Sequence, residues 1–322
     1  MKPLQTLCVV LALIAVGVSA QTTRYTLSDG TSVDLPDLTI TGSSLDCTVS
    51  YDATRGVFRY AYTLSAPATN RVPVQAFKID VSGTTTRPQT DLVLAENIVR
   101  APAIQPATTI PVGITIPDPG HWRAGLSRSG MVFASARKSL MAVAPGASAG
   151  GFVLESRLTP GVRKAEISPS RQPWLDIMNA MPETGAEFVE PHPDEQKFAI
   201  TTTTIAPIDI ADSALYNGGG QQPAEVNKFL RYAAPLDNRN KVSANSTYTV
   251  IVYYGTTINT ATFAATLDGA DITSRFHPVP GGADVVKIAI GTSTTKLHLS
   301  VDGTKSSGGK GTDSDTLTFL PQ

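Results

Sequence analysis

The chain has 322 residues, with 26 Lys and Arg against 27 Asp and Glu, a net charge of −1 at pH 7 and only 16% charged residues. A balance this even leaves no electrostatic footprint for nucleic acid or anionic lipid. With two cysteines in so long a chain, the fold must be held by burial rather than by covalent staples, and the length suits two cores better than one.

Residues 1–20, MKPLQTLCVVLALIAVGVSA, carry a lone Lys2, an apolar run from Leu7 to Val18, and small residues Ser19 and Ala20 before Gln21. That is the layout of a cleaved secretory signal, its apolar run short for a bilayer span. The expected mature chain starts at Gln21, has no membrane span, and acts in a secreted or periplasmic location. Cys8 leaves with the signal, so Cys47 has no partner for an intramolecular disulfide. Within SLDCTVSY it alternates with Val49 and Tyr51 and reads as a small buried hydrophobe on a strand, not as a nucleophile.

From Leu45 onward the pattern runs in twos. In VFRYAYTL, residues 57 to 64, Phe58, Tyr60, Tyr62 and Leu64 share one parity, which predicts a half-buried strand. CTVSY and VQAFKIDV (74 to 81) read the same way, with turns at YDATRG and SAPATN, and the three are expected to form an antiparallel meander. MVFASARKSL (131 to 140) and FVLESRL (152 to 158) continue the β reading. APGASAGG (144 to 151) reads as a turn before Phe152, because a phosphate loop would need a Lys and a helix behind it.

Between Ser168 and Asn245 two stretches lose the period of two. WLDIMNAM (174 to 181), stopped by Pro182, and PAEVNKFLRY (223 to 232), opened by Pro223, are expected to be short helices. EPHPDE, NGGGQQP and LDNRNKVSANS read as surface or linker, and KFAITTTTIAP (197 to 207) as one more strand of the first domain. From Thr247 strict alternation returns in TYTVIVYYG, ATFAATLDG, VVKIAIG, KLHLSVDG and DTLTFL, five strands at the spacing of an immunoglobulin-like sandwich. The expected fold is all-β: an N-terminal β-sandwich over 21–210, a linker with a short helix over 211–245, and an immunoglobulin-like β-sandwich over 246–322.

Four constellations could carry chemistry. AGLSRSG places Gly125 and Ser127 as in a nucleophile elbow, with His121 nearby, but Ser129 stands where the second Gly belongs and MVFASA follows as a strand. The hairpin reading is preferred, since a triad would have to recruit His192, His277 or His298 from elsewhere. The four His show no metal-ligand spacing, and His298, between Leu297 and Leu299, is expected on the solvent face. Glu190, His192, Asp194 and Glu195, gathered between prolines in EPHPDE, are expected in an exposed loop, with metal binding as the lesser alternative. Asp302, Asp313 and Asp315 form a candidate Ca²⁺ site, lacking the closing Glu of a full loop; the competing expectation is that Asp313 and Asp315 guard an edge strand against pairing. Trp122 and Trp174 flank no acidic pair unless Asp176 is counted, which weakens a glycosidase reading.

YDATRGVFRYAYTL, PGHWRAGL, APGASAGGFVLESRLTPG and the tail VYYG, TFAATLDGADITSRFHPVPGG and DSDTLTF together resemble exported bacterial proteins built from β-sandwich modules, families with no assigned catalytic residues. The resemblance implies a bacterial, exported, non-catalytic protein. No cofactor is expected beyond possible Ca²⁺ ligation, and the expected partner is an extracellular protein or a polysaccharide. The alternatives are a secreted hydrolase acting on carbohydrate or ester through the N-terminal domain, or a Ca²⁺-stabilised adhesion module.

Overall fold

The computed structural model describes residues 22–80, 114–115, 122–127, 130–135, 142–180, 198–208, 229–236 and 238–322. These fall into two compact units, the first drawn from Met1–Asp37 and Pro173–His192, the second from Leu38–Gln172 and Pro193–Gln322. In the first unit, β1 (Thr22–Thr26) and β2 (Ser32–Pro36) pair as a hairpin. Its turn is set by Asp29, whose carboxylate accepts from the Thr31 N–H at 2.9 Å and hydroxyl at 2.6 Å, an Asx-type turn. The helix expected before Pro182 is α1 (Gln172–Ala180), with Pro173 in its first turn where a missing N–H costs nothing. Trp174 donates its indole N–H to the Pro36 carbonyl at 2.9 Å and meets Tyr25 edge-on.

The second unit opens with a β-sandwich of β3 (Ser44–Asp52), β4 (Val57–Ser65), β5 (Val74–Ile79), β6 (Ile114–Thr115), β7 (Trp122–Ser127), β8 (Gly130–Ser135), β9 (Ser148–Ser156), β10 (Thr159–Pro169) and β11 (Ile200–Ile208). One sheet has the order β3-β4-β9-β6 and the other β11-β10-β5-β8-β7. The β3–β4 hairpin forms as the alternation predicts, closed by Asp52, which accepts from the N–H groups of Thr54 and Arg55.

The expected meander stops there. β5 lies in the other sheet, between β10 and β8, because the segment 66–73 with Pro67 and Pro73 carries the chain across. The aromatic row of β4 can then be buried against β5. Tyr60, Tyr62, Phe77 and Phe152 are all fully buried, and Phe152 meets Phe77 and Trp122 edge-on at 5.0 and 4.7 Å between ring centroids. The glycine run also differs from its reading as a simple turn. Only 144–147 turn, and Gly150 and Gly151 lie within β9, opposite the single residue Thr63. Gly151, at φ +86°, takes the left-handed conformation that a bulge demands.

The remaining strands are β12 (Leu230–Ala234), β13 (Arg239–Val242), β14 (Ser246–Tyr254), β15 (Ile258–Leu267), β16 (Ala270–Asp271), β17 (Ala283–Ile290), β18 (Thr295–Thr304) and β19 (Lys310–Pro321). The sheets β12-β14-β17 and β13-β19-β18-β15-β16 face each other in an immunoglobulin-like sandwich, the entering chain contributing β12 to one sheet and β13, parallel to β19, to the other. All five strands read from the alternation are present.

β12 and β13 were not foreseen. Residues 223–228 of the expected helix lie outside the described residues, but from Leu230 the chain is strand. Leu230, Tyr232 and Ala234 also alternate, and pairing with β14 buries all three, which overrides a marginal helical spacing. Fully buried Leu297, Leu299, Val301, Leu317 and Phe319 fill the core, each contributing about 1.5–3 kcal/mol relative to exposure.

The two sandwiches of this unit share a buried surface. Val250, Val252 and Tyr254 of β14 point into their own core, yet Ile251 and Tyr253, on the opposite face, are 0% and 4% exposed. They are covered because β10 and β3 pack against β12 and β17. The Tyr253 hydroxyl donates to the Pro160 carbonyl across this surface.

Candidate functional site

Of the residues singled out in the sequence for a triad, those that are described stand on separate segments of the chain. Ser127 ends β7 and pairs with Gly130 at the start of β8. β7 is followed by its antiparallel partner strand β8, whereas an elbow requires a helix after the nucleophile. His121, Glu190, His192, Asp194 and Glu195 lie outside the described residues, and Asp176 sits exposed on α1 in the other unit. Trp122 is on edge strand β7, with its ring buried in the core at 5% exposure. His298 stands on the outer face of β18, its Nδ1 3.1 Å from Thr316 Oγ1, while Leu297 and Leu299 face the core. The His277 N–H donates to Asp284 Oδ2 at 2.6 Å, a carboxylate that also accepts from the Tyr254 hydroxyl at 2.7 Å.

The three aspartates are split between the two faces of the five-stranded sheet. Asp302 projects outward and accepts from the Thr312 hydroxyl. Asp313 and Asp315 turn inward with Leu317 and Phe319, at 6% and 3% exposure. Asp313 Oδ2 accepts from the main-chain N–H groups of Phe229 at 2.7 Å and Leu230 at 2.9 Å, and Asp315 Oδ2 from the Tyr232 hydroxyl at 3.2 Å. These carboxylates therefore tie the start of β12 to the opposite sheet. β13 pairs with β19 only over residues 318–321, so among the described residues β19 has β18 as its one neighbour in the sheet at Asp313 and Asp315, where inward-pointing charges are a known protection of an open edge. Among the described residues no group of three or more His, Cys, Asp or Glu converges as a metal site would require.

Cys47 lies on β3 opposite Tyr62, at 6% exposure. Burial, only partly offset by the neighbouring Tyr62 hydroxyl, pushes its thiol from 9.0 up to about 12, so at neutral pH it is an inert thiol and not a thiolate. Alkylation with iodoacetamide near pH 8 is expected to leave native Cys47 unmodified and to go to completion in denaturant. Ready labelling of the native protein would contradict the burial.

Beside the buried surface of β14, the two sandwiches part and leave a crevice of about 280 Å³. Its walls come from β3, β10 and β11 on one side and from β12, β14 and β17 on the other. Along the outer face of β14 the sequence Thr247, Thr249, Ile251, Tyr253 passes from exposed to buried, which is why the crevice is polar at its mouth and closed at its base. Thr203 stands on the facing wall, where its neighbour Thr204 is buried and donates to the Leu45 carbonyl at 3.0 Å. Lys287 Nζ meets Asp46 Oδ1 at 2.7 Å, clasping one sandwich to the other. Both side chains are about half exposed, so the pair contributes at most about 1 kcal/mol to stability.

Sequence reasoning missed this site. Asp46 and Lys287 are each a charged residue on the solvent parity of a strand, and at a separation of 241 positions nothing in the sequence signals their meeting.

No family model matches the chain, and no curated protein matches it. Among solved structures it is similar to the major pilin subunit BcpA of Bacillus cereus, at 10% identity over 94% of this chain and 76% of that one, with a TM-score of 0.25. It is similar to a variant of that subunit at 9% identity over 94% and 77%, again with a TM-score of 0.25.

Proposed function

We propose that the chain is a non-catalytic binding or structural protein acting outside the cytoplasm, with the crevice between its two packed sandwiches as the surface open to a partner. Support for export comes from the signal-like residues 1–20. Among the described residues no helix is long and apolar enough to cross a membrane.

The observation that carries the reading is how the inward polar groups are used. Asp313 holds two main-chain N–H groups, Asp315 the Tyr232 hydroxyl, Thr204 the Leu45 carbonyl, Tyr60 the Leu158 carbonyl and Tyr253 the Pro160 carbonyl. Each bond joins separate segments of the chain. A general base or nucleophile needs instead a group aimed at a space where substrate can sit.

Purified protein is expected to give the same background turnover of generic ester and glycoside substrates as its Ser127→Ala variant. Wild-type hydrolysis above that of the variant would sink the non-catalytic reading in favour of the secreted hydrolase.

A further inference from the structure

The crevice is selective in what it can accommodate. At about 280 Å³ it stands at the small end of ligand pockets, so its occupant is a single small unit. Thr203, Thr247 and Thr249 present hydroxyls, each able both to donate and to accept. At one side, the Asp46 carboxylate and the Lys287 ammonium lie 2.7 Å apart, a strong acceptor beside a strong donor with no net charge. Much of the remaining lining is apolar, with Val162, 50% exposed, beside Leu45, Ile205, Ala234 and Tyr248.

An anion entering here gains from Lys287 what it loses to Asp46, and a cation the reverse, because the two charges are in contact. An apolar ligand would cover the ion pair and three hydroxyls without replacing their hydrogen bonds to water, which is costly. A neutral ring with adjacent hydroxyls fits every element. One hydroxyl donates to Asp46 while its neighbour accepts from Lys287, the threonines pair with the rest, and the C–H face lies on the apolar lining around Val162 and Ile205.

We infer that the crevice between the sandwiches is a subsite for one neutral pyranose unit, bound jointly by Asp46 and Lys287. This rests on the reading of the chain as a binding protein. Since its walls come from both sandwiches, the subsite exists only while the two are docked. The unit can be a free sugar or one residue of a longer chain, and the chemistry recognised is the same.

The test is an amide-resolved NMR titration with the methyl pyranosides of glucose, mannose and galactose, and with a neutral oligosaccharide of whichever sugar binds. Saturable shifts are expected at Thr203, Thr247, Thr249 and Lys287 for at least one pyranoside, with a Kd of about 1 mM, a level suited to a single small unit. Tighter binding of the oligosaccharide assigns the site to a polysaccharide, and equal binding assigns it to the free sugar. Asp46→Asn and Lys287→Met are each expected to weaken binding about tenfold, the loss of one charge-assisted hydrogen bond. Lys296→Met, outside the crevice, is expected to leave binding unchanged. Shifts that fail to saturate for all three sugars, shifts confined to other residues, or full affinity in both crevice variants would overturn the inference while leaving the non-catalytic reading intact. Binding followed by cleavage of the oligosaccharide would uphold the inference and overturn that reading.

Discussion

Asp313→Ala is expected to lower the unfolding free energy by about 2–5 kcal/mol, the cost of leaving two buried N–H groups without an acceptor at roughly 1–3 kcal/mol each. The loss arises at the start of β12. Phe229 is fixed there three ways: its N–H donates to Asp313 Oδ2, its carbonyl accepts from the Gly255 N–H at 2.8 Å, and its ring lies over Gly303, where an added Cβ would come within 2.8 Å of it. Alanine would leave the N–H groups of Phe229 and Leu230 buried without their acceptor, in a place where the packed ring admits no rearrangement. Asp313→Asn keeps one oxygen in place and loses the charge, so an intermediate cost is expected. Asp302→Ala, on the outer face, is expected to change stability by no more than about 0.5 kcal/mol. Urea unfolding with a common m-value reads all three. The comparison also separates this role from calcium ligation. If Asp302 and Asp313 shared a cation, both variants would lose stability together, and chelation would abolish the difference from wild type.

What the sequence discloses here follows from which interactions are local. The parity of Phe58, Tyr60, Tyr62 and Leu64, or of Leu297, Leu299 and Val301, is a property of neighbouring residues, so strands and inward faces could be read directly. Sheet membership was less accessible. β4 and β5 look alike as sequence, and it is the packing of Phe77 of one sheet onto Tyr62 and Phe152 of the other that rewards their separation.

β12 was obscured because its residues satisfy helical and strand spacing alike, and the choice is made by β14 some twenty residues on. The aspartates of the tail were noticed for the right reason, unusual carboxylates on a strand, but their partners, Phe229, Leu230 and Tyr232, come from a segment more than eighty residues earlier. The crevice was invisible for the same reason. It is lined by ordinary threonines and one ion pair that become a site only when two sandwiches dock.

Raising the pH is expected to unfold the protein cooperatively between about pH 9 and 12, because five buried groups resist ionisation. Burial pushes the Cys47 thiol from 9.0 and the Tyr253 hydroxyl from 10.0, each up to about 12. It also holds Tyr60, Tyr62 and Tyr254 well above their usual range, Tyr254 further raised by the adjoining Asp284 carboxylate. In the unfolded chain these groups lose their protons near their ordinary values, whereas the folded state retains them. Between the two values the folded state binds more protons, so stability present below about pH 9 is lost as pH rises. Each group contributes a slope of up to about 1.4 kcal/mol per pH unit, and together they come within the roughly 5–15 kcal/mol of a typical fold as pH 12 is approached. Tyrosinate absorbance from the buried rings should therefore appear together with loss of the far-ultraviolet β signal, not ahead of it. Cys47→Ala should remove the earliest part of the decline, between the thiol and phenol ranges, and leave the steeper part. Complete tyrosine titration with the β signal intact would mean that these hydroxyls are open to solvent, and that the two cores are not the dry, aromatic-filled interiors on which the fold depends.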